Sequence, residues 1–102
     1  MPELSVVRWR SIPMQVLARE GKTSARAMLS ERFQEAVDAS AMVAGLIGSD
    51  DYTSQMAMDR RPCGDDLESE VRAEADRLEA SWSDEVLRAT IRSGGVRHVE
   101  AT

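Results

Sequence analysis

The run Val6-Val7-Arg8-Trp9-Arg10-Ser11-Ile12-Pro13-Met14-Gln15-Val16 constrains the fold more than any other part of the chain. Val6, Val7 and Trp9 favour extended backbone, and no helical period fits so short an apolar run, so residues 4–10 read as a strand. Pro13 lacks an amide donor and holds Ile12 extended. Ser11-Ile12-Pro13 is therefore a bulge, bend or turn rather than a helix start. Residues 14–20 resume as a second strand and close on the turn Glu20-Gly21-Lys22. Two strands joined this tightly predict an antiparallel pair.

Helices are expected around that pair. Thr23 or Ser24 would cap a long one, with Leu29, Phe33, Ala36, Val37, Ser40, Val43 and Ile47 near one face and Gly45 and Gly48 at its end. Ser49-Asp50-Asp51 reads as a turn, and residues 53–60 read as a third strand with Met56 and Met58 on one side, a short helical turn being the alternative. Arg61-Pro62-Cys63-Gly64 reads as a loop. Asp65 or Asp66 opens a helix whose apolar positions Leu67, Val71, Ala75, Leu78 and Trp82 recur every three or four residues. Ser83 caps a shorter helix carrying Val86, Leu87, Ala89 and Ile91, which ends at Gly94-Gly95.

The order β-β-α-β-α-α predicts a small antiparallel sheet packed against helices, an α+β fold. One domain is expected over residues 1–95, with a flexible C-terminal tail at 96–102 that holds the sole histidine, His98. Strict strand alternation sets Leu4 and Val6 beside Arg8 and Arg10 and turns Val7 and Trp9 the other way. Both faces of the first strand then carry apolar groups, so either helices cover both faces or one face meets a partner.

Charge narrows the function classes. The chain carries a net −5. Residues 1–47 hold 6 Lys/Arg against 5 Asp/Glu, whereas residues 48–102 hold 7 against 13. Such an acidic chain is a poor ligand for duplex nucleic acid, whose affinity rests on many cation–phosphate contacts. No apolar run is long enough to span a bilayer. The first residues lack the charged-then-apolar pattern of a secretion signal, and a lone cysteine fits a reducing compartment, so a cytoplasmic location is expected.

The motifs that could carry chemistry are incomplete. Gly21-Lys22-Thr23 has the context of a phosphate loop, but Val16 stands where the first glycine of that motif belongs, so a turn and helix cap is the better reading. Cys63 precedes a helix whose dipole would activate a thiol, yet Asp65, Asp66 and Glu68 crowd the same end. It is retained only as a reactive-thiol candidate. The acids Asp65, Asp66, Glu68 and Glu70 lack calcium-loop or zinc spacing and fit helix-start electrostatics, so no metal or other cofactor is expected. Arg8, Trp9, Arg10 and Gln15 remain as candidates for binding an anion or an acidic partner, against the alternative of cross-strand pairing with acids of the second half.

The segments VVRWRSIPMQV at 6–16, LSERFQEAVDASAM at 29–42 and GLIGSDDY at 45–52, with PCGDDLE at 62–68 more loosely, resemble the small bacterial proteins called virulence factor domain proteins. The resemblance implies a short α+β module without an established catalytic mechanism. In the family, a similar domain lies beside helical repeats and an iron–sulfur scaffold-like segment, and members accompany folate- and corrinoid-dependent methyl-transfer genes. Arg8 stands where an aromatic residue is commoner in that family, and Ser11 where an acid is commoner.

These readings converge on a non-catalytic accessory or protein-interaction module. Its expected partner is a protein or a second copy of the chain, contacted through Arg8, Trp9, Arg10 and Gln15 and through Glu31 and Arg32 at the start of the first helix. The alternatives are a small enzyme or subunit of a methyl-transfer system, and an iron–sulfur assembly accessory, which one cysteine per chain disfavours.

Overall fold

The computed structural model describes residues 1–46 and 50–97. Ile47, Gly48, Ser49 and His98 lie outside the described residues. The elements run β1 (Glu3–Trp9), β2 (Ile12–Glu20), β3 (Thr23–Met28), α1 (Glu31–Ala44), α2 (Asp50–Ser54), β4 (Met56–Pro62), α3 (Leu67–Ser81) and α4 (Asp84–Arg92). All strand pairings are antiparallel, in the order β3-β2-β1-β4. The fold is α+β, with α3 packed across β2 and β3 and α1 packed on β2 and α4.

One expected helix segment is a strand. Thr23–Met28 is β3, and α1 begins only at Glu31 after Ser30. Ala25, Arg26, Ala27 and Met28 are sound helix formers, so local propensity alone misplaces them. The turn decides: β2 and β3 are joined by Gly21-Lys22, and Gly21 has φ 58°. A positive φ at the first of two loop residues is the tight-hairpin geometry, and it returns the chain along β2. Ala25 then enters the core while Thr23, Ser24, Arg26 and Met28 are exposed. The same hairpin removes the phosphate-loop reading, because no helix follows the turn.

The stretch after α1 contains both alternatives, the short helix α2 followed by the strand β4, which runs on through Arg61 and Pro62. Val43, expected on the inner face of α1, is exposed. The inner face instead carries Phe33, Ala36, Val37, Ser40 and Ala41. Asp66 and Ser83 cap α3 and α4 through their side chains, and Leu67, Val71, Ala75, Leu78 and Trp82 are all buried.

Pro13 sits inside β2, an interior strand, where it cannot complete a ladder. The register explains how it is tolerated. Val7 faces Gln15 but Arg8 faces Pro13, so Met14 is the extra residue of a β-bulge. The bulge also re-aims β1: Trp9 pairs with Ile12, and both are fully buried in the same core as Leu4 and Val16. Strict alternation fails at this point, and Trp9 becomes a core residue.

Two further constraints hold this corner. Arg10 occupies the turn between β1 and β2 at φ 51°, a conformation that costs a non-glycine residue about 1 kcal/mol. Its N–H donates to the Gln55 carbonyl, and its guanidinium donates to Gln55 Oε1 and to the Gly94 carbonyl. At Gly95, a Cβ would lie 2.6 Å from Trp9 Cζ3 and 3.3 Å from Ser40 Cβ, and its φ is 99°. Gly95→Ala is therefore expected to cost roughly 3 kcal/mol or more, from strain and overpacking together. Gly94→Ala, at φ 71° but with its nearest contact, the Arg10 guanidinium, at 3.4 Å, is expected to cost about 1–2 kcal/mol. Urea unfolding of the two variants checks the order.

Buried Glu74 accepts from Arg61 and Arg77, and the Arg77 hydrogen bonds chiefly hold its carboxyl below the usual carboxylate range. At Glu79, burial pushes the carboxyl up, but hydrogen bonds from the Ser30 N–H and hydroxyl and from Arg32 outweigh it and lower the pKa. With folded values depressed, the unfolded chain takes up protons first on acidification. Stability from these groups is complete above the unfolded carboxylate pKa of about 4.3 and is lost as pH falls through the folded values. The urea midpoint is expected to fall across that window, and Glu74→Gln should flatten the slope.

Candidate functional site

The helices cover one face of the sheet and leave the other open. Its rows follow from the register. Met28, Gln15, Val7 and Met58 form one row, and Arg26, Leu17, Ser5 and Arg60 form the next. Arg19 and Glu3 face each other in the third row, with Ser24 beside Arg19. All of these side chains except Met28, Gln15 and Val7 line a shallow concavity of about 700 Å³, to which α3 adds Glu68.

Arginines divide sharply between this face and the rest of the fold. Arg8 donates from Nε to Asp59 Oδ2 at 2.8 Å and from Nη1 to the Arg10 carbonyl at 2.6 Å. Arg10 is spent on Gln55, Gly94 and the Trp9 ring, whose centroid lies 5.3 Å from its Cζ. Arg32 spans Glu79 and Asp84 and lies over Phe33. In contrast, Arg19, Arg26 and Arg60 line the concavity without any hydrogen bond or ion pair among the described residues. Arg72, Arg88 and Arg92 also lack partners, but they are dispersed over α3 and α4.

The residues expected to form one site are thus scattered. Arg8 pairs across to β4, Trp9 is fully buried with its indole N–H donating to the Tyr52 carbonyl at 2.8 Å, and Arg10 ties the turn to the end of α4. Arg32 joins the start of α1 to the end of α3, and Glu31 is exposed in the first turn of α1. Gln15 alone of the six lies on the open face. The three arginines there were not foreseen. Arg19 could have been found from its two-residue spacing with Leu17 and Gln15, whereas Arg26 was hidden by the helical assignment of β3 and Arg60 by the unknown register of β4.

Cys63 follows β4, its N–H donating to the Pro2 carbonyl, and its side chain packs against the core. Burial chiefly, then the Glu70, Glu20 and Asp65 charges, push its thiol up against an opposing pull from Arg61. That direction is opposite to the one an activated nucleophile needs. Among the described residues no group of three or more His, Cys, Asp and Glu side chains could hold a metal ion. Alkylation of Cys63 by iodoacetamide is expected to be slower at neutral pH than that of an unperturbed thiol and to rise only above the usual thiol pKa. Glu70→Gln should shift the pH–rate profile to lower pH.

Among the described residues, no helix is long and apolar enough to cross a membrane. No curated protein and no solved structure matches the chain significantly. The model of the virulence factor family does match, over residues 7–91, from the middle of β1 through nearly all of α4. It therefore covers the proline-bearing bulge, the open face apart from Glu3 and Ser5, and the helical layer, and the chain belongs to the virulence factor family.

Proposed function

We propose that the protein is a non-catalytic accessory module whose open sheet face receives an acidic segment of a protein partner. The observation that carries this reading is the trio Arg19, Arg26 and Arg60, unpaired on one face of a chain with net charge −5. An arginine held near acids in its own fold is satisfied internally, as at Arg8, Arg32, Arg61 and Arg77. Three left free around Leu17 and Met58 supply charge beside accessible apolar area, the composition of a protein-binding surface.

A second copy of the chain is a poor occupant of this face. A two-fold contact puts the same patch on both sides, so three arginines on each copy would have only Glu3 and Glu68 of the other to pair with, and like charge would be left over. Repulsion of that kind disfavours the face-to-face dimer and favours an acidic partner that is not this surface.

A fluorescent acidic peptide, rich in Asp and Glu around a central leucine, is expected to bind with an affinity that falls as salt rises. In the double variant Arg26→Glu/Arg60→Glu the affinity should drop by about tenfold or more. Arg88→Glu on α4, remote from the face, should leave binding unchanged. Anisotropy titration that shows no binding, or an equal loss in the α4 variant, would count against the proposal.

A further inference from the structure

The central row of the open face has a chemistry narrower than general acidity. It runs Arg26, Leu17, Ser5, Arg60 across all four strands. Only 8% of the Ser5 surface is exposed, but its hydroxyl oxygen keeps access to solvent and makes no hydrogen bond among the described residues. It lines the same concavity as both arginines. A solvent-accessible hydroxyl with no partner in its own fold is free to donate to a ligand oxygen in exchange for water.

The spacing suits two arginines closing on one anion. Three strand separations of about 4.8 Å set the Arg26 and Arg60 Cα atoms roughly 14 Å apart. An extended arginine spans roughly 6–7 Å from Cα to guanidinium, so the two can meet above Leu17 and Ser5. Two planar forks each offer a pair of N–H donors, and the serine adds an O–H. A carboxylate has two oxygens with about four acceptor sites, fewer than these donors need. The three terminal oxygens of a phosphoryl group can take both forks and the hydroxyl.

We infer that the Arg26–Ser5–Arg60 row is a seat for a phosphoryl group. The inference rests on the reading of the open face as a binding surface and names the chemistry of its central contact. Glu3 and Glu68 also line the concavity and repel an anion placed near them. They confine the favourable position to the central row, where both flanking charges are positive. The phosphoryl group is carried either by a modified side chain of a partner segment or by a small phosphate ester, and the two sources are separable by experiment.

Amide chemical shifts of the full chain can be followed with inorganic phosphate, and with two short peptides identical except for phosphoserine or glutamate at the centre. Phosphate is expected to shift the Ser5, Leu17, Arg26 and Arg60 amides saturably. The phosphoserine peptide is expected to bind about tenfold more tightly than its glutamate twin. Ser5→Ala should remove most of that preference while leaving the glutamate peptide's affinity unchanged, and Arg60→Gln should weaken both peptides. Both variants are read only with a native amide spectrum; Arg60 is exposed, so its replacement leaves the core untouched. A glutamate peptide that binds as tightly as the phosphoserine one overturns the phosphoryl seat and leaves the acidic-partner reading standing. So does a preference that survives Ser5→Ala. Saturable phosphate shifts with neither peptide bound would support the seat, assign it to a free phosphate ester and overturn the partner reading. No shift with phosphate and no binding of either peptide overturns both.

Discussion

The burial of Trp9 against Gly95 is the contact on which the rest of this fold depends. A tryptophan at 0% exposure brings its ring, its N–H and its neighbours into one corner. The ring packs against Tyr52 at a 37° tilt with 5.6 Å between centroids, the indole N–H donates to the Tyr52 carbonyl, and Gly95 leaves the space that the ring fills. Through that side chain the first strand holds α2, and the turn after α4 closes over it. Arg10 and Ser11 repeat the link in polar form, since Arg10 reaches the Gly94 carbonyl, the Ser11 N–H donates to the Gly95 carbonyl and the Arg97 N–H donates to Ser11 Oγ. A hairpin tip near the start of the sequence is thereby fastened to its last described residues.

That arrangement sets the roles of the charged residues. The corner uses Arg8 and Arg10 for structure: Arg8 donates to Asp59 and to the Arg10 carbonyl, and Arg10 donates to Gln55 and to the Gly94 carbonyl. At the start of α1 the same logic consumes Arg32, and Glu79 takes over the capping work that the Ser30 hydroxyl does not perform within its own helix. Each of these groups joins elements distant in sequence. The unpaired arginines that lie together are therefore on the face that no helix covers, where Arg19, Arg26 and Arg60 make no ion pair among the described residues, while Arg72, Arg88 and Arg92 are dispersed over the helices.

How much of this was legible in sequence depends on the range of the deciding interaction. The proline break, the caps at Asp66 and Ser83 and the heptad-like spacing from Leu67 to Trp82 are local signals, and the structure follows them. β3 was lost because its alanines and arginine favour a helix in isolation, while pairing to β2 across Gly21 outweighs that preference. Trp9 was misplaced because one extra residue, Met14, changes the direction of every side chain beyond the bulge. The open-face row was least visible of all. Arg26, Leu17, Ser5 and Arg60 become neighbours only once four strands have found their register, which no short window of sequence encodes.

The edges of the sheet argue for contact through its face. β4 is an edge strand exposed at nearly every position, and it carries Asp59, Arg60 and Arg61 before ending at Pro62. Charges and a proline on an edge are the usual obstacles to adding another strand, since the incoming chain must desolvate the charges and finds one donor missing. At the other edge, α3 packs against β3 and limits the approach from the helical side. A partner that avoids both edges meets the concave face, where side chains rather than backbone groups make the contact. Recognition there depends on the charge and shape of the incoming group, which the unpaired arginines and the accessible Ser5 hydroxyl can meet and the exposed strand edges cannot.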